Sequence, residues 1–116
     1  DAIDLIIKST IYRGCNVIPS TKSFKIQDLF EIYKEEFGLS YNIGEPRAGE
    51  KIHEIMASSE ETRRMEFIQE DKIYLLHPQK NHSTVRFPNN EYSSRDCALS
   101  KDELFDVLKS KDFYKP

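Results

Sequence analysis

Glycine is scarce in this chain: Gly14, Gly38, Gly44 and Gly49 are the only four among 116 residues. A dinucleotide loop needs Gly-x-Gly, so that backbone can turn tightly and approach a pyrophosphate. No two glycines here lie two apart, which excludes a cofactor loop of that type. Cysteine is scarcer still. Cys15 and Cys97 are too few for a disulfide framework and fit a reducing cytoplasm. No apolar run approaches the roughly twenty residues that a membrane-spanning helix requires. No charged segment followed by an apolar stretch opens the chain, so no secretory signal is expected. Neither charge dominates either: 17 basic against 20 acidic residues leave a net −3, with no global attraction to nucleic acid or anionic membrane. The 38% hydrophobic content nevertheless keeps the chain out of the disordered class, and its length has room for one domain, residues 1–116. The first residue is Asp1 rather than Met, which suggests a trimmed or processed piece of something longer.

Apolar residues at 3, 6, 7 and 11 have helical spacing, with Asp1 and Asp4 placed to favour the positive end of the helix dipole. Gly14 ends that segment, and the apolar run Cys15 to Ile18 before Pro19 predicts a strand. A second helix is expected over about Ile26 to Phe37, with Ser23 as its cap if it starts early and Gly38 as its C-terminal stop. Leu39 to Ile43 alternates with the two-residue period of a half-buried strand. A loop follows, and Glu50 to Ala57 is apolar enough to be partly buried. Ser58 with Glu61 predicts a capped short helix through Arg64. Met65 to Gln69 and Lys72 to Leu76 predict a strand pair turning at Glu70-Asp71, and Pro78 to Asp96 a long loop. Ser100 with Glu103 caps a last helix whose apolar side is Leu104, Phe105, Val107 and Leu108. The expected fold class is α/β or α+β, a small mixed unit of short strands and three to four helices.

Most familiar chemistries fail on spacing. Gly44 to Lys51 looks like a phosphate loop, but Glu50 intervenes before Lys51, Ile52 follows it, and Pro46 removes a donor N–H. His53-Glu54 has Ala57 where a zinc protease needs its second His. His53, His77, His82, Cys15 and Cys97 show no ligand spacing, so no metal is expected. A serine nucleophile elbow lacks its glycines. Arg63-Arg64 reads as a solvated helix face.

The stretch Arg47 to Glu54 is different, because it gathers cations, acids, a glycine and a histidine within eight residues. The planar fork of Arg47 suits a diphosphate, and the carboxylate of Glu50 suits a ribose diol. Gly49 between them permits close approach of a ligand. On residue types alone, an ordinary charged turn explains the stretch equally well.

Arg47-Ala48-Gly49-Glu50-Lys51-Ile52-His53-Glu54 resembles the Arg-Pro-Gly-Glu-Lys-Leu-His-Glu stretch of nucleotide-sugar 4,6-dehydratases. These are extended short-chain dehydrogenases, often 5-inverting, acting on UDP-N-acetylglucosamine for surface polysaccharide and protein glycosylation. Asp1-Ala2-Ile3-Asp4-Leu5, Cys15-Asn16-Val17-Ile18-Pro19 and Ser23 to Leu29 are similar to family segments and follow in the family's order. Ile55 to Glu61, Glu91-Tyr92-Ser93-Ser94 and Leu99 to Leu104 continue the resemblance through nearly all of the chain.

The resemblance covers only the C-terminal, substrate-binding part of such an enzyme. It implies Arg47 at the diphosphate and Glu50 at the ribose hydroxyls, with Lys51, His53 and Tyr92 in supporting roles. Ala48 departs from the family's proline, which loosens the turn. It further implies a UDP-sugar as ligand, a separate N-terminal dehydrogenase domain as partner, and NAD(P) held in that absent domain. The parent reaction would take hydride from sugar C4, eliminate water across C5 and C6, and return hydride to C6. The family's Tyr-x-x-x-Lys pair is missing, since the residues four after Tyr12, Tyr33, Tyr41, Tyr74 and Tyr92 are Asn16, Phe37, Glu45, Pro78 and Asp96. The chain alone is therefore expected to hold no cofactor or metal, to be inactive, and to bind nucleotide weakly. A cut at a domain boundary exposes apolar surface, so self-association is also expected. Two rival readings stand beside this one: a free-standing nucleotide-sugar-binding or protein-interaction module, and the same portion of an epimerase or reductase.

Overall fold

A computed structural model describes residues 2–79 and 83–111. The elements in chain order are helix α1 (Ala2–Ser9), strand β1 (Asn16–Pro19), helix α2 (Ile26–Phe37), strands β2 (Ile55–Ala57), β3 (Met65–Ile68), β4 (Ile73–Leu76) and β5 (Tyr92–Ser93), and helix α3 (Lys101–Ser110). Short 3-10 turns at Glu61–Arg64 and Ser94–Cys97 precede β3 and follow β5. The fold is a small mixed α/β unit, as the sequence leads one to expect.

The sheet is antiparallel in the order β1-β4-β3, and β2 pairs with β5 in a separate two-stranded ladder with a register shift. β3 and β4 form the expected hairpin, Met65 opposite Leu76 and Ile68 opposite Ile73, with Lys72 at a left-handed φ of 51° in the turn. β1 is an edge strand, and Pro19 is tolerated there for a geometric reason. The Ser20 N–H donates to Lys72 O at 3.1 Å, so the neighbouring Pro19 nitrogen faces away from β4 and costs no ladder bond. Helix α1 is tied to the β3–β4 turn by Asp71, which accepts from the Tyr12 hydroxyl at 2.6 Å and the Lys8 ammonium at 2.9 Å. Those bonds, Tyr12 first, hold the Asp71 carboxyl below its usual range.

Among the described residues two apolar clusters result. One lies on the sheet, where Ala57, Met65, Leu76 and Tyr92 are buried with Ile18, Tyr74, Val85 and Phe87 packed against them. The other lies between α2 and α3, where Ile32, Leu104 and Leu108 are buried and flanked by Leu29, Tyr33 and Phe105. Gly38 stops α2 at φ 65°, its N–H bonded to Lys34 O, and Ser100 with Glu103 forms a reciprocal cap on α3. The two parts are laced by Ser23, whose N–H donates to Cys97 O at 3.0 Å while its carbonyl accepts from Leu99 N at 2.9 Å. The Cα radius of gyration is 17.2 Å, against about 13 Å for a compact chain of this length, which fits two small cores set side by side.

Several local expectations are corrected. Leu39 to Ile43 forms no strand: the alternation is present, but among the described residues no strand pairs with it. Ser23 is not the α2 cap, since Lys25 occupies that position and Ser23 is spent on the bridge to Ala98. The stretch Glu50 to Ala57 is mostly exposed, with only His53 half-buried and Ala57 buried. The loop from Pro78 to Asp96, of which 80–82 lie outside the described residues, contains β5 and most of the second 3-10 turn. Helix α1 ends at Ser9, short of Ile11, and Ile3, Ile6 and Ile7 on the helix and Ile11 beyond it are all 62–73% exposed.

Candidate functional site

The Arg47 to Glu54 stretch hangs between α2 and the β2–β5 ladder. Its tip is a turn in which the Glu50 N–H donates to Arg47 O at 3.0 Å, with Gly49 at φ 84°. A third turn position with positive φ demands glycine, and the second position favours proline, where this chain has Ala48. Open space surrounds the missing Gly49 side chain, so conformation rather than crowding calls for the glycine. Arg47, Glu50 and Lys51 are exposed, and among the described residues the Arg47 and Glu50 side chains have no partner. Both charges are thus free for a ligand, but nothing in the fold orients them.

The downstream end of the stretch is fixed. Glu54 donates its N–H to Ser94 Oγ at 3.1 Å and accepts from the Ser94 N–H at 2.8 Å. This two-way clasp anchors the loop beside β5, and His53, next in sequence, is half-buried there. Tyr92 lies at the start of β5, 2% exposed, with its ring 5.0 Å from Phe87 and 4.9 Å from Tyr74. Among the described residues its buried hydroxyl has no hydrogen-bond partner. Burial above all, then the neighbouring Cys97 thiol, pushes the Tyr92 phenol well above its usual value, so it stays protonated.

Tyr92 also lines an open cleft of about 570 Å³ together with Tyr74, Phe87, Lys22, Arg86 and Arg95. The three cations are exposed at its mouth. The one acid of that lining, Asp96, already accepts from the Ser93 N–H at 2.8 Å and the Ser93 hydroxyl at 3.1 Å. Aromatic walls with surplus positive charge suit an anionic ligand that carries a ring. Of the sequence candidates only Tyr92 lines this cleft, whereas Arg47, Glu50, Lys51 and His53 do not. Arg86 and Arg95 were invisible as site residues because the cleft joins segments far apart in the chain; the adjacent Arg86-Phe87 pair was the only local hint.

Arg64 proves to be a structural clamp rather than a solvated face. It holds Glu60 through two bonds of 3.0 Å and donates to His77 O at 2.7 Å. Among the described residues no group of three or more His, Cys, Asp or Glu side chains could hold a metal ion. Likewise, no described helix is long and apolar enough to cross a membrane. In comparison with known proteins, no family model matches the chain and no curated relative matches it.

Proposed function

We propose that this chain is the nucleotide-sugar-binding portion of a 4,6-dehydratase of the extended short-chain dehydrogenase type, working in the cytoplasm on a UDP-N-acetylglucosamine-like substrate. The observation that carries the reading is the loop Arg47 to Glu54, which pairs an unengaged guanidinium with an unengaged carboxylate across a glycine turn. Arg47 would donate two parallel bonds to the diphosphate, and Glu50 would accept from the ribose hydroxyls. The Glu54–Ser94 clasp sets the end of that loop beside the strand carrying Tyr92, whose cleft adds Arg86 and Arg95 as further diphosphate donors.

The described residues do not fit a nicotinamide cofactor. Gly14 links α1 to β1, Gly38 caps α2, and Gly44 and Gly49 lie in the loop before β2, so none joins a strand to a following helix. This chain's share of the reaction is accordingly binding and orientation, with a dehydrogenase domain as its partner and a homo-oligomer as a further assembly. The deciding experiment is a backbone NMR titration with UDP and UDP-N-acetylglucosamine, comparing wild type with Arg47→Ala. Shifts centred on residues 47–54 that vanish in the variant are expected. Shifts centred on Arg86 and Arg95 that persist in Arg47→Ala would move the diphosphate to the cleft. No shifts at millimolar ligand, in this chain and in one extended upstream, would overturn the reading.

A further inference from the structure

Sixty-two positions separate Cys15 from His77, yet the fold sets them face to face. β1 and β4 pair through Asn16 and Leu76, and one step beyond that pair the Cys15 sulfur lies 3.3 Å from His77 Nδ1. Glu66 stands opposite Leu75 on β3, and two residues along β4 is one repeat on the same face of the sheet. It meets the other side of the imidazole, its Oε2 2.9 Å from Nε2. The ring therefore has one nitrogen on a thiol and the other on a carboxylate. A carboxylate can only accept, which puts the ring proton on Nε2 and leaves the Nδ1 lone pair for the thiol proton. This linear order is that of a proton relay, in which nucleophile meets base and base meets an orienting acid. It is not that of a metal cage, whose ligands must converge on one point.

The relay is held from behind. The His77 N–H donates to Arg64 O at 3.1 Å, and its carbonyl accepts from the Arg64 guanidinium, itself anchored on Glu60. The site is also reachable: Cys15 is half-buried, and the His77 and Glu66 side chains are 23% and 32% exposed. Cys97 offers a contrast inside the same molecule. Also half-buried, its sulfur donates toward the carbonyls of Ser93 and Ser94, at 3.9 and 3.7 Å, and neighbours the Tyr92 phenol, and among the described residues no imidazole bonds to it.

We propose that Cys15 is a nucleophilic thiol that exchanges with the disulfides of small thiols, with His77 as its base and Glu66 as a positioning residue. Cys15 passes its proton to His77 Nδ1, and the thiolate attacks one sulfur of the disulfide. The disulfide bond breaks, its electron pair leaves on the departing sulfur, and that sulfur takes the proton back from His77. Cys15 ends oxidised in a mixed disulfide, the departing thiol is reduced, and no other oxidant is consumed. No deep pocket is needed, because the electrophile is small and Cys15 is only half-buried.

A base beside the thiol gives its proton a place to go during attack, and the gain expected from the relay is about tenfold. The test incubates the full chain with oxidised glutathione at neutral pH and maps mixed disulfides at both cysteines by mass spectrometry over time. Cys15 is expected to react about tenfold faster than Cys97, and His77→Gln to bring it down to the Cys97 rate. Glu66→Gln should give an intermediate rate and Glu66→Asp should recover most of it, an order that packing alone does not produce. The Cys97 rate in each variant reports on folding, since loss of structure would raise it. Should His77→Gln unfold, the Glu66 pair and the wild-type rate ratio decide. Equal rates at the two cysteines in the wild type would overturn the proposal, as would a Cys15 rate indifferent to both substitutions.

Discussion

Met65 and Tyr92 in the sheet cluster are sealed to 0% and 2% exposure, whereas the helix pair leaves Phe30 at 45% and Val107 at 41%. The sheet cluster draws on β1, β2, β3, β4 and β5 and the loop before β5, with the rings of Phe67, Tyr74, Phe87 and Tyr92 meeting at centroid distances of 4.9–5.7 Å. The helix cluster draws on two elements and cannot close around them. A pair of helices covers only part of each, and an apolar groove lined by Phe24, Phe30 and Leu39 stays open beside the cluster's own Tyr33, Leu104 and Leu108. Closure therefore depends on how many chain segments converge, not on how hydrophobic each one is. The Tyr92 cleft and the Cys15 relay both border the sheet rather than the helix pair.

The largest expected effect is at Met65. Met65→Ala should cost about 4 kcal/mol, because its cavity is walled by strands that cannot collapse, and Leu104→Ala about 3 kcal/mol at the more yielding helix contact. Hydrogen exchange sharpens the contrast: Met65→Ala should deprotect amides throughout, and Leu104→Ala those of α2 and α3 first. Equal deprotection of β4 in both variants would mean that the two clusters unfold as one.

A smaller effect is expected at the α3 cap. Ser100→Ala removes a side-chain cap and should cost about 1 kcal/mol. The Ser100 main-chain N–H, then its hydroxyl, hold the Glu103 carboxyl below its ordinary value of 4.5. Folding is thus favoured above that value, and the support disappears as acid carries the pH down through the lowered one. Acid titration followed by circular dichroism should show a shallower loss of helix in Ser100→Ala, because only the hydroxyl's share is removed.

The smallest effect is the most pointed. Tyr92→Phe deletes a buried hydroxyl that has no hydrogen-bond partner among the described residues, so it should leave stability unchanged or raise it. A clear loss in thermal melting would mean that the hydroxyl meets a group, such as a bound water, that the sealed cluster does not itself provide.

What was legible in the sequence was local. The Gly38 stop, the Ser58–Glu61 and Ser100–Glu103 caps and the β3–β4 hairpin each depend on residues a few positions apart. The Gly49 turn was legible for the same reason. Leu39 to Ile43 misled because alternation marks a strand only when another strand offers its edge. The β2–β5 ladder, the Arg64 clamp and the Cys15–His77–Glu66 relay rest on contacts between 11 and 62 positions apart, which spacing rules do not reach. Tyr92 could be singled out by resemblance, but its burial could not.

Pro19 has an effect that extends beyond a single molecule. A free strand edge is a template on which another copy can lay down its own backbone, and each added copy renews the template. At Pro19 the ring nitrogen on that outer edge offers no proton, so an incoming strand meets a gap in the row of donors. Growth of this kind depends on an unbroken register, and a four-residue edge with one gap gives too few bonds to hold a visitor. The residue that costs the fold nothing inward thus acts as a chain terminator outward, separating the crowding of copies from their polymerisation.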